Sequence, residues 1–107
     1  MDEDPVVSLV AQYEKHGWEL RIVLRTAGTV HAPAEFSDRV LIKDSNLDGL
    51  WFSRANGSKE SWELRRIGGS PFALVRFISE DDDEDTREEI FRSAESEMIA
   101  AVEPRGN

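Results

Sequence analysis

Residues 50–78 read LWFSRANGSKESWELRRIGGSPFALVRFI, and this stretch decides the fold. Three apolar runs are separated by two groups of turn residues. Leu50 to Arg54 makes one strand, Trp62 to Ile67 the next and Phe72 to Ser79 the last. Asn56-Gly57, inside a polar loop, marks a hairpin between the first two. Gly68-Gly69-Ser70-Pro71 is a tight connection between the second and third. In the last run Phe72, Leu74 and Ile78 share one face and Ala73, Val75 and Phe77 the other. Apolar residues on both faces predict a central, doubly covered strand.

Outward from this stretch, Trp18 to Arg25 alternates. Trp18, Leu20, Ile22 and Leu24 point one way, and Glu19, Arg21, Val23 and Arg25 the other, as in a half-buried strand. Residues 26–34 hold Gly28 and Pro33 and read as a loop. Glu35 to Lys43 is a further strand, interrupted by Ser37-Asp38-Arg39, and Asp44 to Gly49 is turn chemistry. Helices flank the strands. Asp4-Pro5 is a helix start, with Asp4 as cap. Val6, Leu9, Val10 and Tyr13 then fall on one helical face, and Gly17 suits the left-handed stop, giving a helix over 5–16. Near the other end, Thr86 with Glu89 matches a capping box. Ile90, Phe91, Ala94, Met98, Ala101 and Val102 keep one face up to Pro104, giving a helix over 87–103. The expectation is α+β: an antiparallel four- to five-stranded meander sheet flanked by an N-terminal and a C-terminal helix. Residues 1–107 form a single domain, with 1–4 and 105–107 frayed and the acids of 80–85 as a linker.

Composition limits the chemistry. The chain has no cysteine, which excludes disulfides, thiolate metal sites and cysteine nucleophiles. The opening MDEDPVV lacks the basic and apolar regions of a secretory signal. No apolar run reaches the roughly 20 residues of a membrane span. A cytoplasmic protein without membrane attachment is expected. The net charge is -9. Both ends are acidic and the middle is mildly basic, a layout that repels nucleic acid and suits a protein partner with a basic surface.

The two histidines form no metal motif. His16 stands in the last turn of the first helix, where a cationic ring suits the helix C-terminus. His31 lies in a loop with Thr29, Ser37 and Asp38, and no nucleophile-elbow motif accompanies them. The acids 80–85 lack the spacing and central glycine of a calcium loop. The connection 68–71 lacks the lysine and the following helix of a phosphate loop. The string Trp-Glu-Leu-Arg occurs at 18–21 and again at 62–65, two strands opening with a large ring, with Glu19 and Glu63 placed for cross-strand pairing with an arginine.

No catalytic residues, metal or cofactor follow from these residues. The candidate contact residues are Trp51, which turns away from Leu50 and Phe52, the strand arginines Arg25, Arg54 and Arg65, and the linker acids Asp81, Asp82 and Asp83. The expected function is a non-catalytic protein-interaction or regulatory module, with a homodimer formed through sheet edges as one version. The alternative is a small-ligand site between sheet and helices, lined by Tyr13, Trp18, Trp62 and Phe72 and closed by an arginine.

Overall fold

Helix α1 spans Pro5–Lys15, and helix α2 spans Glu84–Val102. Between them lie strands β1 Glu19–Arg25, β2 Leu41–Asp44, β3 Gly49–Asn56, β4 Lys59–Arg66 and β5 Ala73–Ser79. The computed structural model describes residues 5–26, 40–67 and 72–102. The expected cap Asp4, residues 27–34 of the loop expected over 26–34, the first half of the strand expected over 35–43, His31 and the 68–71 connection lie outside these residues.

The five strands form one sheet in the order β2-β1-β3-β4-β5. The pairs β3–β4 and β4–β5 are antiparallel, as expected of a meander; β1 pairs antiparallel with β3, which a meander of consecutive strands does not place beside it. The pair β1–β2 is parallel, with Ile22 opposite Leu41 and Arg25 opposite Asp44. The sheet is therefore mixed, and only β3-β4-β5 is a meander. Strand β5 is an edge, not the central strand its two apolar faces predicted. Alternation along a strand reports what each face carries, and says nothing of what covers it.

Two local devices set the layers. The helix α1 ends in a Schellman turn: the Trp18 N–H donates to the Tyr13 carbonyl at 3.0 Å and the Gly17 N–H to the Glu14 carbonyl at 3.1 Å. Gly17 has φ +89°, the left-handed value this turn requires. The Trp18 ring meets Tyr13 edge-on, at 6.2 Å between centroids, which is the apolar contact that accompanies the motif. The second device is a bulge in β1. Leu20 lies opposite Phe52 and Ile22 opposite Trp51, adjacent positions on β3, so Arg21 is the extra residue. The simple alternation expected for this strand is thereby broken. Leu20 and Val23 face α1, whereas Ile22 and Leu24 face α2.

The helices thus cover opposite faces. On one side Val6 and Val10 of α1 pack on Leu20, Val23, Leu50 and Phe52. On the other, Ala94 and Met98 of α2 pack with Leu24, Trp51, Trp62, Leu64 and Ile78. At about 25 cal/mol per Å² of apolar area removed from water, these two buried layers are the main favourable contribution to the fold. Neighbours Trp51 and Phe52 go to opposite layers, and both are fully buried. The β3–β4 turn is tighter than expected: Asn56 pairs with Lys59, leaving Gly57-Ser58 as a two-residue turn with Gly57 at φ +67°. A positive φ at the first turn residue alone is the signature of a type II′ hairpin. The cap of α2 also lies earlier than the expected Thr86. Asp83 Oδ1 accepts the Thr86 N–H at 2.8 Å, because a carboxylate at that position also meets the positive end of the helix. No helix among the described residues is long and apolar enough to cross a membrane.

Candidate functional site

One helix covers about 10 Å of a sheet that, at about 4.8 Å per strand, is about 19 Å across. A single helix per face therefore leaves part of each face to other groups. On the α1 side the helix lies over β1 and β3. The residues of β4 and β5 on that side are Ser61, Glu63 and Arg65, opposite Phe77, Val75 and Ala73. No described element lies over Val75 and Phe77, which are 42% and 60% exposed. Two branched or aromatic side chains two residues apart on an edge strand make an apolar patch with an open backbone beside it.

Next to this patch, a cleft of about 470 Å³ runs along the end of α1, lined by Gln12, Tyr13, Lys15, His16, Trp18 and Glu63. Its wall is built by the Schellman turn, which brings Tyr13 and Trp18 to the same corner. The Tyr13 ring stacks on Phe52, with centroids 3.9 Å apart and planes 9° from parallel. Its hydroxyl donates to Glu63 Oε2. Burial, then the hydrogen bond and the charge of Glu63, push the Tyr13 phenol up to about 12, with Arg65 opposing. A phenol held that far above neutrality stays protonated near neutral pH and serves as the donor to Glu63. The Arg65 Nε is buried and has no hydrogen-bond partner among the described residues.

The candidate residues are dispersed. Trp51 is not on a surface: it lies under α2, and its Nε1 donates to Glu95 Oε2 at 2.9 Å. Its ring meets Phe91 at 5.0 Å and Trp62 at 6.2 Å, within an aromatic cluster. Arg54 is exposed on the α1 side, stacks over Trp18 at 4.7 Å and donates to the His16 carbonyl at 3.1 Å. Arg65 adjoins Tyr13 on the same side. Arg25 pairs with Asp44 of β2 at 3.2 Å, across the parallel ladder. Of the linker acids, Asp82 Oδ2 accepts the Ser79 N–H at 2.8 Å and Asp83 caps α2, while Asp81 is exposed and its side chain has no such bond among the described residues. Arg54 and Arg65 share the α1 side of the sheet but lie apart on it, Arg54 opposite Ser61 and Arg65 opposite Leu50 in the β3–β4 register. The four rings expected to line one pocket are divided by the sheet: Tyr13 and Trp18 on the α1 side, Trp62 and Phe72 on the α2 side.

Other charged groups are satisfied within the fold. The Arg21 guanidinium lies over Trp62 at 5.4 Å and donates to Ser53 at 3.2 Å. Arg87 lies over the same ring at 5.9 Å and 3.8 Å from Glu60. Arg76 pairs with Glu97 at 2.5 Å. Among the described residues no group of three or more His, Asp or Glu converges as a metal site. Sequence reasoning passed over Val75 and Phe77, since they looked like core. The signal that could have found them is the width of the sheet against the number of helices. Comparisons with protein-family models, curated proteins and solved structures return no match.

Proposed function

We propose that the chain acts by binding a partner protein on the exposed β5 edge of its α1-side face. The observation that carries this is the exposure of Phe77 and Val75 on an edge strand. An edge offers main-chain hydrogen bonds, and alternate side chains supply specificity. Glu80 and Asp81 are exposed just past the end of β5, so a partner that lays basic groups there gains charge complementarity. The test is capture by the immobilised chain, comparing wild type with V75E/F77E, whose fold is checked by circular dichroism and thermal melting. The expected result is a partner retained by wild type, lost in the variant, and held less well as salt rises. A partner indifferent to both substitutions counts against this surface.

A second function has a specific observation behind it. The cleft beside α1 has two aromatic walls, Tyr13 and Trp18, and behind Tyr13 lies Arg65, whose buried Nε has no hydrogen-bond partner among the described residues. The cleft suits a small ring-bearing ligand with one polar anchor. A thermal-shift screen of small metabolites, repeated on R65M, tests it. Hits that stabilise wild type and R65M alike would exclude the anchor role.

A further inference from the structure

The bonding pattern along β5 narrows the partner further, on the footing that the exposed β5 edge is a docking site. The Arg66 N–H donates to the Phe72 carbonyl at 2.9 Å and the Glu80 N–H to the Ser58 carbonyl at 3.1 Å. With Arg65 opposite Ala73 in the register, residues 72, 74, 76, 78 and 80 fall in the pairs that bond to β4. The backbone N–H and C=O groups of Ala73, Val75, Phe77 and Ser79 therefore point away from the sheet, along its open edge. The Ser79 N–H is already taken by Asp82. The usable edge runs from Ala73 to Phe77, and its midpoint is Val75.

We propose that this edge pairs with the same edge of a second copy of the chain, antiparallel and two-fold symmetric about Val75. The two five-stranded sheets would then be continuous. Three features favour self-pairing. First, the symmetry sets Phe77 opposite Ala73 of the second copy, a large side chain against a small one, on the exposed face. It sets Arg76 opposite Leu74 of the second copy. A two-fold placed one residue further on, at Arg76, would bring two guanidiniums face to face and would need the capped Ser79. Second, the surface has opposite charges at its ends. Arg65 and Arg66 stand beside the start of β5, and Glu80 and Asp81 follow its end. An antiparallel two-fold lays the acidic end of each copy beside the basic end of the other, the self-complementarity that an isologous interface requires. Third, residues 73–77 contain no proline, lysine or bulge of the kind that blunts edges. The one guard is Arg76, whose Nη1 donates to the Val75 carbonyl at 2.9 Å in an exposed contact. It gives way to a strand N–H while its Nη2 keeps Glu97.

Pairing through one strand buries a small area, so the dimer is concentration-dependent. Sedimentation equilibrium on the full chain measures it, with V75E/F77E as the variant and circular dichroism as the fold control. The chain has no cysteine, so a nitroxide on a single introduced thiol reports the register. Labels at A73C, V75C and F77C are compared. The expected result is a monomer–dimer equilibrium that V75E/F77E shifts at least tenfold toward monomer. The strongest spin–spin broadening is expected for V75C, since opposed residues of a bonded pair lie about 5.5 Å apart. A chain that stays monomeric throughout overturns the proposal and casts Arg76 and Asp82 as effective guards. So does a dimer whose strongest broadening lies at A73C or F77C. If the chain is monomeric yet V75E/F77E loses a captured partner, only self-pairing falls; if those substitutions change neither readout, the docking surface falls with it.

Discussion

Trp51 and Glu95 are joined across the sheet–helix interface by an indole N–H to carboxylate bond of 2.9 Å. The ring is fully buried and the acid half-buried. Removing the acceptor leaves a buried donor without a partner. Glu95→Ala should cost roughly 1–3 kcal/mol, whereas Glu95→Gln, which keeps a carbonyl oxygen in reach, should cost less. Urea denaturation of the three proteins measures the difference. Equal losses for Ala and Gln would show that the bond contributes through the charge of Glu95 alone.

The chain has a single tyrosine, so ultraviolet titration of the phenol reads Tyr13 directly. Its midpoint should lie at about 12 in the folded protein, against an ordinary 10.0. The folded state holds this proton more tightly than the unfolded one. Its contribution to stability is therefore complete below about pH 10 and is lost as pH rises toward 12. Glu63→Gln should bring the midpoint down, because it removes the negative charge that opposes ionisation. A midpoint that does not move would mean burial alone holds the phenol up.

Gly17 sits at φ +89° and closes α1. A Cβ there would meet only the Arg54 Cδ, at 3.4 Å, an ordinary contact. The expected loss for Gly17→Ala is therefore backbone strain alone, roughly 1–2 kcal/mol. Thermal melting of the variant checks it. The same substitution should loosen the Tyr13–Trp18 corner, seen as a shift in tryptophan emission.

Asp83 caps α2, and its bonds to Thr86 hold its carboxyl below the ordinary value for an aspartate. A depressed folded value means the cap contributes fully above the ordinary range and fades as pH falls through the lowered one. Protection of the Thr86 amide, its exchange slowed relative to an unstructured amide at the same pH, should fall over that acid interval in wild type. In Asp83→Ala that protection should be missing already at neutral pH. Retained protection in the variant would show that the first turn is held by the sheet instead.

Local chemistry was legible in the sequence where a single residue type carries it. Gly17 marked the end of α1, Asn56-Gly57 the hairpin, and the face assignments along β5 were correct. The layering was harder. One inserted residue, Arg21, moves Leu20 to the other side of the sheet from Ile22 and Leu24, and a bulge has no composition that announces it. Strand order was harder still. Neighbouring runs suggested a meander, yet β2 lies outside β1 and parallel to it. That depends on long-range pairing, which periodicity does not encode. The bare patch follows from both. With α1 over β1 and β3, β5 becomes an edge whose second apolar face has no described cover.

The strand order also has a kinetic meaning. The strands β3, β4 and β5 are consecutive in the chain and adjacent in space, and β3 and β4 meet at the Gly57-Ser58 turn. Their contacts close short loops, whereas β1 must find β3 across a long intervening segment and β2 must return beside β1. Contacts of low sequence separation carry the smaller entropic barrier. The β3–β4 hairpin is therefore expected in the folding nucleus, with α1 and β1 docking afterwards. In stopped-flow measurements Gly57→Ala should mainly slow folding, and Val10→Ala in the α1 layer should mainly speed unfolding. The reverse partition would place the nucleus at the α1 layer and make the hairpin a late arrival.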